Sequence, residues 1–208
     1  MRIVALLCFT CIFLFSCNTK KEEVRINKET TGDTSTVKTE KSINPYTQID
    51  ISPMDMSYYP VDYPKLKMTR TTTAPPLARI IYSRPHLQGR NLFHDVLKYG
   101  EPWRLGANEA TELELYSDAT ILDKKIKAGR YTLYCIPEQQ KWTIVLNSNI
   151  DTWGLQPDTA KDIARFIIPI HQTTNLLEYF TLLFQQTGDH AELLMAWDNM
   201  EARLPFIF

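Results

Sequence analysis

The sequence predicts an all-β protein: a single antiparallel domain, built as a β-sandwich or a barrel-like sheet, with long loops and little helix. Three observations carry this. The dominant hydrophobic period is two, the segments between alternating runs carry turn chemistry, and stretches with a helical period are scarce. In chain order, residues 79–83, 111–116, 131–136, 142–147, 163–170, 178–184 and 191–197 are short runs rich in β-branched and aromatic side chains. Seven such runs in one domain point to a sandwich or barrel. Gly129 stands before Arg130-Tyr131, Pro137-Glu138-Gln139-Gln140 before Lys141-Trp142, and Gly188-Asp189 before His190; these residues supply the bends between strands. Runs 131–136 and 142–146 are therefore expected to pair as a hairpin. A second hairpin is expected at Trp197-Asp198-Asn199-Met200, ending in Leu204-Pro205-Phe206-Ile207-Phe208, with Pro205 at a sheet edge. Short helical turns are expected within 89–99 and 159–163, and no internal repeat is present.

The N-terminus has a different chemistry. Met1-Arg2 is followed by an apolar run over residues 3–15, broken only by Thr10. The run is shorter than the roughly 20 apolar residues of a spanning helix. It stops at Ser16-Cys17, before the polar stretch Asn18-Thr19-Lys20-Lys21-Glu22-Glu23, which is the arrangement of a cleaved export signal. Leu14-Phe15-Ser16-Cys17 resembles the bacterial lipobox, in which a small residue precedes a cysteine that is acylated and becomes the first residue of the mature chain. Residues 1–16 are read as a lipoprotein signal peptide and Cys17 as the lipidation site, so the membrane is reached through an N-terminal lipid. The expected location is the cell envelope, periplasmic or at the cell surface. Of the four cysteines, Cys8 and Cys11 leave with the signal and Cys17 takes lipid, so Cys135 is alone in the mature domain and no internal disulfide can form. Within Tyr131-Thr132-Leu133-Tyr134-Cys135-Ile136 it reads as a buried, inert thiol.

Residues 17–48 are Lys, Glu, Thr, Asn and Ser with hardly any large apolar side chain. Such a stretch cannot bury enough surface to offset its ordering entropy, and it reads as a flexible polar tether. Segment 45–64 continues it but has more to bury in Met54, Met56, Tyr58, Tyr59 and Tyr63. The domain is assigned to residues 49–208, enough chain for one core. Removing residues 1–16 takes away only Arg2 among 23 basic residues, leaving 22 against 24 acidic ones. This balance gives no basic excess for nucleic acid, which is excluded as a partner.

The stretch with the most chemistry runs through Ser83-Arg84-Pro85-His86-Leu87-Gln88-Gly89-Arg90 and Trp103-Arg104-Leu105-Gly106-Ala107-Asn108-Glu109-Ala110-Thr111. Arg84, Arg90 and Arg104 each offer a rigid fork suited to a carboxylate or phosphate, and Asn108 and Glu109 add an amide and acceptors. One reading is a structural brace, in which Glu109 pairs with one or more arginines and Trp103 plugs the loop. The other is an anion pocket. A hydrolase would need Glu109 with a loop histidine, His86 or His94. Their spacing matches no metal signature, so no metal or other cofactor is expected.

Ser83-Arg84-Pro85, the following Gly89-Arg90 and the long Trp103–Thr111 element occur in the order found in DUF2911, a family of exported proteins frequent in Bacteroidetes. Ala128-Gly129-Arg130-Tyr131-Thr132-Leu133, Ile136-Pro137, Trp142-Thr143-Ile144 and Asp151-Thr152-Trp153-Gly154 are similar to further elements of that family. The resemblance covers about residues 51–208. It implies a β-rich fold and an exported setting, and it transfers no activity. Two function classes therefore stand open: a lipid-tethered binding or structural module for a small anionic ligand, glycan or partner protein, with Trp103 and Trp153 suited to such a surface, or a hydrolase-like enzyme using Glu109.

Overall fold

The computed structural model describes residues 50–208; Cys17, the signal segment 1–16 and the tether 17–48 lie outside the described residues. The elements are β1 (Met54–Tyr59), α1 (Tyr63–Met68), β2 (Ala78–Ser83), β3 (Thr111–Leu115), β4 (Ala119–Ile121), β5 (Lys124–Ile126), β6 (Gly129–Pro137), β7 (Lys141–Asn147), β8 (Asp162–Thr187) and β9 (His190–Ile207). The strands form one antiparallel sheet in the order β1-β2-β3-β6-β7-β8-β9-β4-β5. The all-β class expected from the sequence is what the chain adopts.

Alternation explains which face each strand buries. Thr111, Leu113 and Leu115 of β3 point inward while Glu112 and Glu114 stay half-buried on the other face. Trp142, Ile144 and Leu146 of β7 and Ala164, Phe166 and Ile168 of β8 continue the same inner face. The sheet curls until its members meet again. After β2, the Phe180 N–H donates to the Pro85 carbonyl at 2.9 Å and the Leu87 N–H donates to the Glu178 carbonyl at 3.0 Å, a bridge between His86 and Tyr179. The Phe184 N–H donates to Ser57 Oγ at 2.9 Å, and the Leu182 N–H to Tyr82 Oη at 3.0 Å. The result is barrel-like, with the inner face as one core.

The β6–β7 hairpin forms as expected, with Leu133 opposite Leu146 and Pro137 opposite Trp142. The second expected hairpin does not form. β9 runs through Trp197-Asp198-Asn199-Met200 without turning, because Asp198 takes a positive φ of 54° and is absorbed in a bulged register opposite Leu177. Runs 163–170 and 178–184 are likewise one strand, β8, which pairs with β7 in its first part and β9 in its second. Segment 45–64 contains a full strand, β1, paired with β2 from Met54–Ser83 to Tyr59–Ala78. The two helical turns appear at Leu92–Val96 and Thr159–Lys161, and α1 is an addition that the sequence reading missed. Cys135 is fully buried on β6, and burial pushes its thiol pKa well above the ordinary value, so it is held as an unreactive thiol.

Candidate functional site

The site grows from an interruption of β3. Thr111 pairs with Leu133 and Trp103 bridges Cys135, each N–H of that bridge donating to the opposite carbonyl at 2.7 Å. A regular strand would place one residue between Trp103 and Thr111; here seven, residues 104–110, swing out as a loop. Its inner end is tied by buried bonds. Thr111 Oγ1 donates to the Leu105 carbonyl at 2.7 Å and Trp103 Nε1 donates to the Gly106 carbonyl at 3.1 Å. Leu105, fully buried, and Asn108 adopt positive φ values of 53° and 57°. Asn108 Nδ2 donates to Asp50 Oδ2 at 2.8 Å, holding the loop to the segment before β1.

Trp103 packs this loop onto the core, against aromatics. Its ring lies 4.9 Å from Phe180 edge-on, 5.7 Å from Trp197 stacked and 6.1 Å from Trp142 edge-on, centroid to centroid. A second loop, residues 151–155, packs on the first. The Ala110 N–H donates to the Thr152 carbonyl at 3.2 Å, Arg104 Nη1 donates to the Trp153 carbonyl at 3.1 Å, and the Arg104 guanidinium lies 5.6 Å from the centre of the Trp153 ring. Neither Asp151 nor Gly154 as a loop-packing residue was anticipated beyond the family resemblance.

Different residues of these loops line two clefts. The larger, about 480 Å³, takes Arg90, Trp103 and Arg104, together with Lys98, Glu101 and Leu155. The smaller, about 390 Å³, takes Glu109. Eight arginines lie among the described residues. Arg79, Arg84, Arg130, Arg165 and Arg203 each have a carboxylate within ion-pair distance. Arg70, Arg90 and Arg104 have none there, and two of these three line the larger cleft. Hydrogen bonds donated to Glu112, Asp162 and Glu201 raise the pKa of Arg130, Arg165 and Arg203 respectively, whereas burial lowers that of Arg104. Arg90 is fixed by its own turn, Nε donating to the Leu87 carbonyl and Nη2 to the His86 carbonyl, both at 2.8 Å.

The expected brace between Glu109 and an arginine is not formed. Glu109 is exposed and has no ion pair among the described residues, because the loop turns at Asn108 and carries it away from the Arg104 side. Arg84 does brace the fold, but with Asp55 of β1 at 3.3 Å and against the Tyr179 ring. Glu109 and a histidine are not assembled as an acid–base pair either. His86 stacks on Tyr179 with Nδ1 3.6 Å from Glu178, and His94 is exposed beside Asp95 at 2.7 Å. No group of three or more His, Cys, Asp or Glu side chains is placed to share a metal ion among the described residues.

Glu109→Gln is accordingly expected to leave stability within about 0.5 kcal/mol of the parent, as for a surface change away from special features. Thermal unfolding checks this: melting temperatures within about 2 °C fit an exposed Glu109, and a drop of 8 °C or more would restore the brace.

No curated protein and no solved structure matches the chain. The family model described as a protein of unknown function, DUF2911, matches residues 64–206, a span that includes the Arg84 element, both loops and the lining of both clefts apart from Ile51, Ser52 and Met54. The chain belongs to the DUF2911 family.

Proposed function

We propose that this protein is a lipid-anchored binding module of the cell envelope, whose larger cleft takes a small organic anion. The observation that carries the reading is the pair of arginines without carboxylate partners, Arg90 and Arg104, lining one cleft beside Trp103. Lys98 and Glu101, 3.8 Å apart, offset each other there, so the two guanidinium groups set the sign of the cleft. An uncompensated guanidinium held in a partly buried position favours an incoming carboxylate or phosphate. The indole and Leu155 offer apolar area for the body of the ligand. A volume of about 480 Å³ suits a small molecule.

Calorimetric titration with 2-naphthoate, against the neutral 2-naphthamide, tests the anion reading. Saturable binding of the acid alone is expected, weakened about 10- to 100-fold by Arg104→Met, the loss of one charge-assisted hydrogen bond. Equal binding of acid and amide, or no effect of the variant, would remove the reading.

The anchoring part of the proposal rests on residues 1–17 and on the polar composition of 17–48. A fatty-acid analogue is expected to label the protein in cells, and Cys17→Ala to abolish the label. Label that persists in the variant would place the lipid elsewhere.

A further inference from the structure

The smaller cleft has the opposite chemistry, and we propose that it is a second site, one that takes an organic ammonium ion. Three carboxylates line it, Glu109 from the first loop, Glu112 from β3 and Asp151 from the second loop, and no lysine or arginine does. One arginine, Arg130, reaches the edge of this set, its Nη2 donating to Glu112 Oε2 at 2.8 Å and to Asp151 Oδ1 at 3.1 Å. It compensates one charge of three and leaves Glu109 and one oxygen each of Glu112 and Asp151 without a protein donor among the described residues.

Two further observations point to a ligand of this class. Ser83 follows Ile81 on the same face of β2, where Ile81 is opposite Glu112. Ser83 lines the cleft and is only 4 % exposed, yet its hydroxyl has no hydrogen-bond partner among the described residues. The hydroxyl opens into the cleft without a protein partner among the described residues, so a ligand N–H there would find a free acceptor. Trp153 borders the same cleft while 55 % exposed, an unusual condition for a large indole. An indole beside carboxylates is the surface that binds ammonium groups, through the quadrupole of the ring and the charge of the acids. Ile81 and Met54 add apolar contact for a hydrocarbon body.

The carboxylates do not converge on a point, since no three acidic or histidine groups are placed to share a metal ion among the described residues. Spread charge beside an aromatic suits an ammonium on an organic frame better than a compact divalent cation, which needs several oxygens at about 2.0–2.6 Å. The two clefts share no lining residue, so this inference stands independently of the anion reading.

The test uses the full chain and phenethylammonium chloride as probe, with neutral 2-phenylethanol and calcium chloride as comparisons, followed by titration calorimetry. Saturable binding of the amine is expected and none of the alcohol. Glu109→Gln is expected to weaken the amine about fivefold or more, while Arg90→Gln, which lies on the other cleft, leaves it unchanged. No saturable amine binding, equal binding of the alcohol, an amine affinity untouched by Glu109→Gln, or a response to calcium alone would each overturn the proposal. Because Glu109 is exposed and unpaired among the described residues, the variant is expected to fold, and its melting curve is recorded beside the titration.

Discussion

Replacing Trp103 by alanine is expected to destabilise the domain by about 3–5 kcal/mol, the range for truncating a large aromatic in a core. The indole touches Trp142, Trp197 and Phe180, of which all three are fully buried, so its removal opens a cavity that neighbours held in strands cannot refill. It also frees the Gly106 carbonyl, the inner tie of the loop that carries Arg104. In a domain of this size, roughly 2–4 °C of melting temperature accompanies each kcal/mol, so a fall on the order of 10 °C is expected. Trp103→Phe keeps a ring and is expected to recover at least half of the loss. A melting temperature within about 3 °C of the parent for Trp103→Ala would show that the loop is fastened elsewhere.

Gly154→Ala carries the second large effect. A Cβ built there lies 2.8 Å from the Ala110 Cβ and 3.1 Å from its Cα, and the backbone holds a φ of 78° that an alanine resists. The clash is with a residue whose backbone is already hydrogen-bonded to Thr152, so the two loops must separate. A loss of about 2–5 kcal/mol is expected, combining the left-handed conformation with overpacking. Gly89→Ala isolates the two terms. Gly89 has a similar φ of 73° but a Cβ there meets nothing within 4 Å, so only the conformational part, about 1–2 kcal/mol, is expected. Equal melting temperatures for the two variants would mean that the loops are not in contact as described. Binding of 2-naphthoate is expected to weaken in Gly154→Ala and not in Gly89→Ala, because Gly154 positions the loop next to Arg104.

Much of the sheet was legible because its inner strands bury at least one face. β3 alternates cleanly, β6 and β7 read as β-branched and aromatic runs whose central residues are buried on both faces, and the turn residues between β6 and β7 fix their register. β1 was not legible for the opposite reason. Its large apolar side chains Met54 and Met56 face outward and are exposed, while Asp55 and Ser57 turn toward the rest of the fold, to Arg84 and to the Phe184 N–H. The pattern that marks a half-buried strand is inverted there. β4 and β5 have three residues each, too few for a period to show. The break expected at Asp198-Asn199 failed because such residues serve bulges as well as turns, and the partner strand decides which.

The site was legible as a set of residue types and not as an arrangement. Arg90, Trp103 and Arg104 do come to one cleft, but nothing in the residue order says that Leu105 and Asn108 take positive φ and send Glu109 to a different one. Nor does the sequence show that Arg84 meets Asp55, since that contact follows from the β1–β2 register. Trp153 and Gly154 stand some 50 positions from Arg104 in the chain, and only the folded loops bring them together.

The measurement that bears most directly on the anion cleft is a crystal structure of the protein with 2-naphthoate. The carboxylate is expected within hydrogen-bond distance of the Arg104 guanidinium, with Arg90 facing it and the naphthyl ring against Trp103 and Leu155. A naphthoate seated at another surface, or a cleft in which Arg104 has turned to a carboxylate of the protein itself, would contradict the account.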